Sequence, residues 1–164
     1  MAYSNNPAPR GNWPQREERP PFDDTVAIQG IVFGEKIDPE LFGDIAQAKA
    51  KLVADAGKAD KGKNKSTQLR RFYDELVMWN DRVQAETTPE KKAAKYTELA
   101  PYIKMLNAKV AYAKGRSHVE ENFVAVYSCC IRQIADAKTL KHGKLFIEAF
   151  MGFYKAVEDK GSRS

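Results

Sequence analysis

From Asp38 to near its end, the chain repeats apolar residues every three or four positions, with short polar or proline-marked breaks between the runs. Such spacing lays a hydrophobic stripe along one side of an α-helix, and stripes of this kind are buried against one another. Asp38–Pro39 is an N-cap and first-turn pair. It predicts a first helix to about Ala56, with Gly57 as C-cap and Leu41, Ile45, Ala48, Leu52 and Ala56 as its stripe. A lysine-rich loop, Lys58 to Asn64, leads to a second helix ending near Ala85. Its stripe is Leu69, Phe72, Leu76 and Val83, flanked by Tyr73 and Asn80. Thr88–Pro89 repeats the cap signature and opens a helix that Pro101 should kink or break. Ile103, Leu106, Val110 and Ala113 then share one face of a segment ending at Gly115. Ser117-x-x-Glu120 has the form of a capping box before the stripe Val119, Phe123, Val126, Cys130 and Ile134. Leu145, Phe146, Ala149, Phe153 and Val157 give the last helix. The expected fold is all-α, a compact bundle of five to six helices spanning residues 38–159.

The residues before the bundle differ in kind. Five of the eight prolines fall within residues 1–24, a composition too polar to bury much surface, so a disordered tail is expected there. Trp13 and Phe22 are its possible anchors. Residues 25–37 form a second piece in which Val26–Phe33, β-branched and interrupted by Gly30, reads as a short strand or extended arm. A lone strand is marginal, so the arm must lie against the bundle or a neighbouring subunit. Residues 160–164 read as a short disordered tail.

At 164 residues the chain suits one domain with a real core. No apolar run approaches the roughly 20 residues that span a bilayer, and the N-terminus lacks a signal-peptide h-region. A cytoplasmic protein with no membrane partner is therefore expected. Cys129 and Cys130 are adjacent within a helical pattern, where neighbouring side chains do not face each other. They read as two buried thiols.

Charge is more telling. Residues 58–71 carry six Lys/Arg and one acid, and residues 104–116 carry four Lys/Arg and no acid. Two concentrated basic segments point to a polyanion partner better than the overall charge of +5 does. In the first, Lys63, Lys65, Gln68, Arg70 and Arg71 sit at the start of the second helix, where unpaired N–H groups and the macrodipole favour an anion such as phosphate. The plain alternative is that Arg70–Asp74 and Arg71–Glu75 pair at i,i+4 and merely solvate a face, for about 0.2–0.5 kcal/mol each. Lys63, Lys65, Lys109 and Arg116 have no such local acid. In the second segment, Lys109, Tyr112 and Arg116 share a helical face. Two cations flanking a ring suit a phosphate backbone with a base or sugar against the aromatic. The alternative is a core-edge tyrosine covered by snorkelling stems.

Catalytic chemistry is not visible. His118 and His142 stand alone without metal-ligand spacing, and His118 is expected to be solvated in the first turn of a helix. Asp23–Asp24 is a carboxylate pair in the tail. No phosphate loop, nucleophile elbow or His-Glu-x-x-His is present. No metal or cofactor is expected.

Three segments in order carry a family resemblance: Gln68–Tyr73 (Gln-Leu-Arg-Arg-Phe-Tyr), Ala111–Arg116 (Ala-Tyr-Ala-Lys-Gly-Arg) and Phe146–Lys155. They resemble the small subunit of the type III-A CRISPR effector, the Csm complex, over about residues 60–158. The resemblance implies a helical bundle without catalytic activity. Copies of it would stack as a filament beside the backbone subunits that hold the guide RNA, lining the groove where guide pairs with target RNA. It implies that target cleavage belongs to the backbone subunit, and that DNA cleavage and cyclic oligoadenylate synthesis belong to the large subunit. Carried onto this chain, the RNA contacts implied are Lys65, Gln68, Arg71, Lys109 and Arg116, with Lys63 and Arg70 second. The tail and arm depart from the family pattern and look like an extension. The alternatives are the small subunit of a related type III effector, or a helical adaptor whose basic patch binds an acidic protein.

Overall fold

A computed structural model of the chain describes residues 19–161. Of the tail expected at residues 1–24, residues 1–18, with Trp13, lie outside them; of the end tail expected at 160–164, residues 162–164 lie outside, while Lys160 and Gly161 belong to the last helix. Six long helices form the body: α2 Ala46–Ala59, α3 Ser66–Gln84, α4 Pro89–Lys104, α5 Leu106–Gly115, α6 Glu121–Gln133 and α7 Ala137–Gly161. A single turn, α1 Thr25–Ile28, precedes them, and a π-helical turn, Leu41–Ile45, runs into α2. No strand occurs among the described residues, and no helix there is long and apolar enough to cross a membrane.

Helix α6 lies at the centre. Phe123 and every residue from Ala125 to Ile131 are buried, so the single stripe read from the sequence is one side of a helix that is covered all round. Helix α7 packs on α2 and α3, and α5 packs on α6. Aromatic rings join the layers. Phe72 of α3 meets Phe123 and Tyr127 of α6 at 5.7 and 5.2 Å between centroids, and Phe123 meets Phe150 of α7 at 6.1 Å. Tyr127 also donates its hydroxyl to the Phe72 carbonyl at 3.0 Å. Burial, with Glu75 nearby, pushes that phenol far above its usual range, so it stays a donor. These contacts fix α3 beside α6 and hence beside α5.

Several boundaries and phases differ from the sequence reading, each for a local reason. In α2 the buried set is Leu41, Ala46, Lys49, Ala50, Val53 and Ala54, while Ala48 is exposed. The π turn inserts an extra residue, with Ile45 N–H reaching the Glu40 carbonyl, and this advances the stripe by one position. Gly57 does not cap α2, which continues to Ala59. A Cβ on Gly57 would lie 3.1 Å from Cβ of Asn64, so the glycine makes room for that side chain. Pro101 sits inside α4, and the break comes one turn later at Met105. The capping box does not form. Glu120 itself caps α6, its carboxylate accepting from Asn122 and Phe123 N–H at 2.7 and 2.8 Å. Ser117 instead adopts φ 59° and closes α5 with a Schellman pair, Ser117 N–H to the Lys114 carbonyl and His118 N–H to that of Ala113. His118 therefore lies in the α5–α6 turn. In α7 the fully covered line is Leu140, Gly143, Phe146, Ile147, Phe150 and Tyr154, with the expected Leu145, Ala149, Phe153 and Val157 half-buried beside it.

The arm is a correction to the strand reading. Val26–Ile28 lies in a helical turn and the rest is irregular, docked on its own bundle through buried Ala27, Ile31 and Phe33. With no strand to pair with, its backbone is met by side chains. Gln133 accepts from Phe33 N–H at 2.9 Å and donates to the Ile31 carbonyl at 2.8 Å, and Lys49 donates to the Val26 carbonyl at 2.6 Å. Lys49 is 8% exposed, and burial lowers its pKa. Gln133→Leu keeps the volume but leaves Phe33 N–H without its acceptor and the Ile31 carbonyl with only the weak Cys129 thiol at 4.0 Å. It should cost about 1–2 kcal/mol and speed proteolysis between residues 29 and 36; an unchanged cleavage rate would contradict this anchoring.

His142 stacks edge-on with Phe33 at 6.4 Å, and its Nδ1 is buried without a partner among the described residues. Burial first, then Lys138 and Lys141, lowers its pKa against the opposing pull of Asp136. Above pH ~6.5 both folded and unfolded forms are neutral. As pH falls through that value the unfolded chain takes up the proton first, so stability declines. In His142→Gln, the loss of thermal stability between pH 7 and 5 should be smaller than in the wild type.

Candidate nucleic-acid interface

The start of α3 is set by Asn64, which is 1% exposed with φ 56°. Its Nδ2 donates to the Val53 carbonyl and to Glu120 Oε1, both at 3.1 Å, and its Oδ1 accepts from Glu120 N–H at 3.0 Å. Its own N–H reaches the His118 carbonyl at 2.9 Å, and its carbonyl accepts from the Tyr154 hydroxyl at 2.5 Å. Burial pushes that Tyr154 phenol up to about 12. One residue thus ties α2, α7 and the α5–α6 turn to the start of α3. Sequence reading placed it in a lysine-rich loop and missed this role.

Held this way, α3 and α5 enclose a cleft of about 190 Å³. Gln68, Arg71 and Glu75 come from α3, Lys109 and Tyr112 from α5, and His118 from the turn, over apolar Phe72 and Ala113. Tyr112 is 66% exposed. Arg116 extends the same face: its guanidinium carbon lies 5.8 Å from the Tyr112 ring centroid and Nη1 donates to the phenol oxygen at 3.1 Å. Five of the eight residues singled out from the sequence, Gln68, Arg71, Lys109, Tyr112 and Arg116, therefore come together across two helices.

The other three do not join them. Lys65 stands exposed at the N-cap of α3. Arg70 pairs with Asp74 at 3.7 Å and lines a separate groove between α3 and α7 with Tyr73, Met151 and Lys155. Lys63 pairs with Asp60 at 2.5 Å and faces a third groove that also holds Arg19 and Phe22.

Ion pairing redistributes the two basic segments. Lys109, which has no acid nearby in sequence, meets Glu75 of α3 at 2.6 Å, and Lys114 meets Glu121 at 2.7 Å. The plain alternative read from the sequence would have paired Glu75 with Arg71 instead. Lys104 is spent internally, its Nζ donating to the carbonyls of Ile131 and Ile134 at 2.8 and 2.5 Å at the end of α6. Lys63 is a second correction, since Asp60 supplies its acid. Lys65, Arg71 and Arg116 have no carboxylate within ion-pair distance among the described residues. The exposed Lys109–Glu75 pair contributes on the order of 1 kcal/mol at most.

No curated protein and no solved structure matches the chain. The family model described as Csm2 Type III-A matches residues 42–160, which covers the π turn and the six long helices but for Leu41 and Gly161 at the two ends, takes in all three motifs, and leaves the arm outside. The chain belongs to the Csm2 type III-A family and is a small subunit of the type III-A CRISPR effector, the Csm complex.

Proposed function

We propose that copies of this subunit stack as a filament along the guide–target duplex and hold target RNA on the α3–α5 face, with no catalytic step of their own. The observation that carries the reading is the convergence of Gln68, Arg71, Lys109 and Tyr112 on one cleft, extended by Arg116. Arg71, Arg116 and Lys65 take the phosphates, while Lys109 stays paired with Glu75. Phosphate contacts fix position and carry no base information, so sequence is read by the pairing of guide RNA with target. Weak contacts suffice because stacked copies raise the effective concentration along one strand. Stacking and docking on the backbone and large subunits need a face that leaves water. Exposed Met78, Tyr102 and Met105, beside a Trp79 stacked on Tyr102 at 5.7 Å, offer one.

Salt dependence tests the phosphate contacts. For single-stranded RNA the slope of log K against log salt is about −0.7 per phosphate neutralised. Arg71→Gln should make the wild-type slope shallower by roughly that amount. A slope unchanged by Arg71→Gln and by Arg116→Gln would remove this face from RNA binding.

A further inference from the structure

The cleft between α3 and α5 is built wrongly for a phosphate. Among the described residues Glu75 is its one carboxylate, and a phosphate drawn in by Arg71 or Lys109 would meet that charge. The carboxylate is held in place, its Oε2 accepting from Lys109 Nζ at 2.6 Å, while Oε1 has no partner among the described residues. Gln68 lies alongside on the cleft wall, its buried Oε1 without a hydrogen-bond partner among the described residues. A site that offers acceptors and a fixed anion suits a neutral group rich in N–H donors. Its volume, about 190 Å³, is below the roughly 300–1,000 Å³ typical of pockets for drug-sized ligands and fits one ring system. Tyr112 supplies an exposed aromatic wall, and unpaired RNA bases are recognised by stacking on such rings and by their Watson–Crick edges.

We propose that this cleft seats one unpaired base of the RNA strand, guanine in preference to the others, with its N1–H and N2–H edge on the Glu75 carboxylate and its ring against Tyr112. The inference rests on the reading that the α3–α5 face holds RNA, and adds a base-reading position to a surface otherwise limited to phosphates. Guanine alone among the four bases presents two adjacent N–H donors, matching the two oxygens of a carboxylate. Each oxygen has a second lone pair, so Oε2 keeps its bond to Lys109. Arg71 and Arg116, at the rim, remain with the flanking phosphates.

The test uses the full chain and fluorescence anisotropy with uridine-tract RNAs carrying no substitution, one guanosine, one inosine or one adenosine. The wild type should bind the guanosine RNA roughly tenfold tighter than the all-uridine RNA, the scale of one good bidentate base contact. Inosine, which lacks the N2 amine, should fall back toward the all-uridine value. Glu75→Gln should lose the guanosine preference while binding all-uridine RNA at least as tightly, since an anion has been removed. Tyr112→Leu should weaken the guanosine RNA most. Equal wild-type affinity for all four RNAs, or a preference that survives Glu75→Gln, would overturn the proposal. If that equal affinity still falls in Arg71→Glu, the RNA reading stands without the base seat; if no RNA binds, the base seat falls, and the RNA reading is decided by target affinity in the assembled effector. The inosine comparison needs only the wild type, so the proposal stays testable even if a variant folds poorly.

Discussion

Asn64→Ala should destabilise the protein by about 3 kcal/mol, a large share of the roughly 5–15 kcal/mol that holds a typical domain together. Three losses combine. The N–H of Glu120, the residue whose carboxylate caps α6, loses its acceptor, and Nδ2 no longer reaches the Val53 carbonyl or the Glu120 carboxylate. A buried group left unpartnered costs about 1–3 kcal/mol. Alanine must also hold φ near 56°, a left-handed conformation costing about 1–2 kcal/mol for an ordinary residue. Asn64→Gly removes the same side chain but tolerates that φ, so its loss should be smaller by about 1 kcal/mol. Urea unfolding midpoints for the three proteins check this ordering. Equal midpoints for wild type and Asn64→Ala would mean that the α3 start is held by something else.

Lys104→Met should cost about 2 kcal/mol and leave RNA affinity unchanged. The last carbonyls of a helix lack intrahelical donors, and a cation there also meets the negative end of the macrodipole. Nζ of Lys104 serves Ile131 and Ile134, with Arg132 at 3.3 Å, and hydrogen bonds from a charged donor contribute about 1.5–3 kcal/mol. Methionine fills the path of the stem and supplies no donor. Ile134 keeps one from the Tyr96 hydroxyl at 3.0 Å, which limits the loss. By sequence alone Lys104 belongs to a basic segment aimed at a polyanion, so the paired measurement separates two roles. Weakened RNA binding with unchanged stability would return Lys104 to the interface.

The bundle was legible because apolar spacing reports helices directly. Thr88 caps α4 as read, its hydroxyl accepting from Lys91 N–H at 3.2 Å, and Ile103, Leu106, Val110 and Ala113 are buried together. The phase of α2 was not legible, since the π turn at Leu41–Ile45 changes the residues per turn without an apolar signal. Nor were the left-handed positions at Asn64 and Ser117, which glycine did not mark. Of the candidate site, the helical-face logic for Lys109, Tyr112 and Arg116 holds. What spacing hides is pairing between elements: Lys109 with Glu75 across two helices, Lys104 on the end of α6, and Gln133 on the arm, 100 residues from Phe33 in sequence. Such partners follow from packing, so the cleft emerges only once α3 and α5 are side by side.

The central claim is that this face of a type III-A small subunit holds target RNA within the assembled effector. The most direct measurement co-expresses this chain with the backbone and large subunits and a guide RNA, then compares target-RNA affinity for wild type and Arg71→Glu/Arg116→Glu. The account predicts that both proteins enter the ribonucleoprotein in the same amount and that the double variant holds target at least tenfold more weakly, about 1.4 kcal/mol. Target affinity equal to wild type in a fully assembled complex would contradict it.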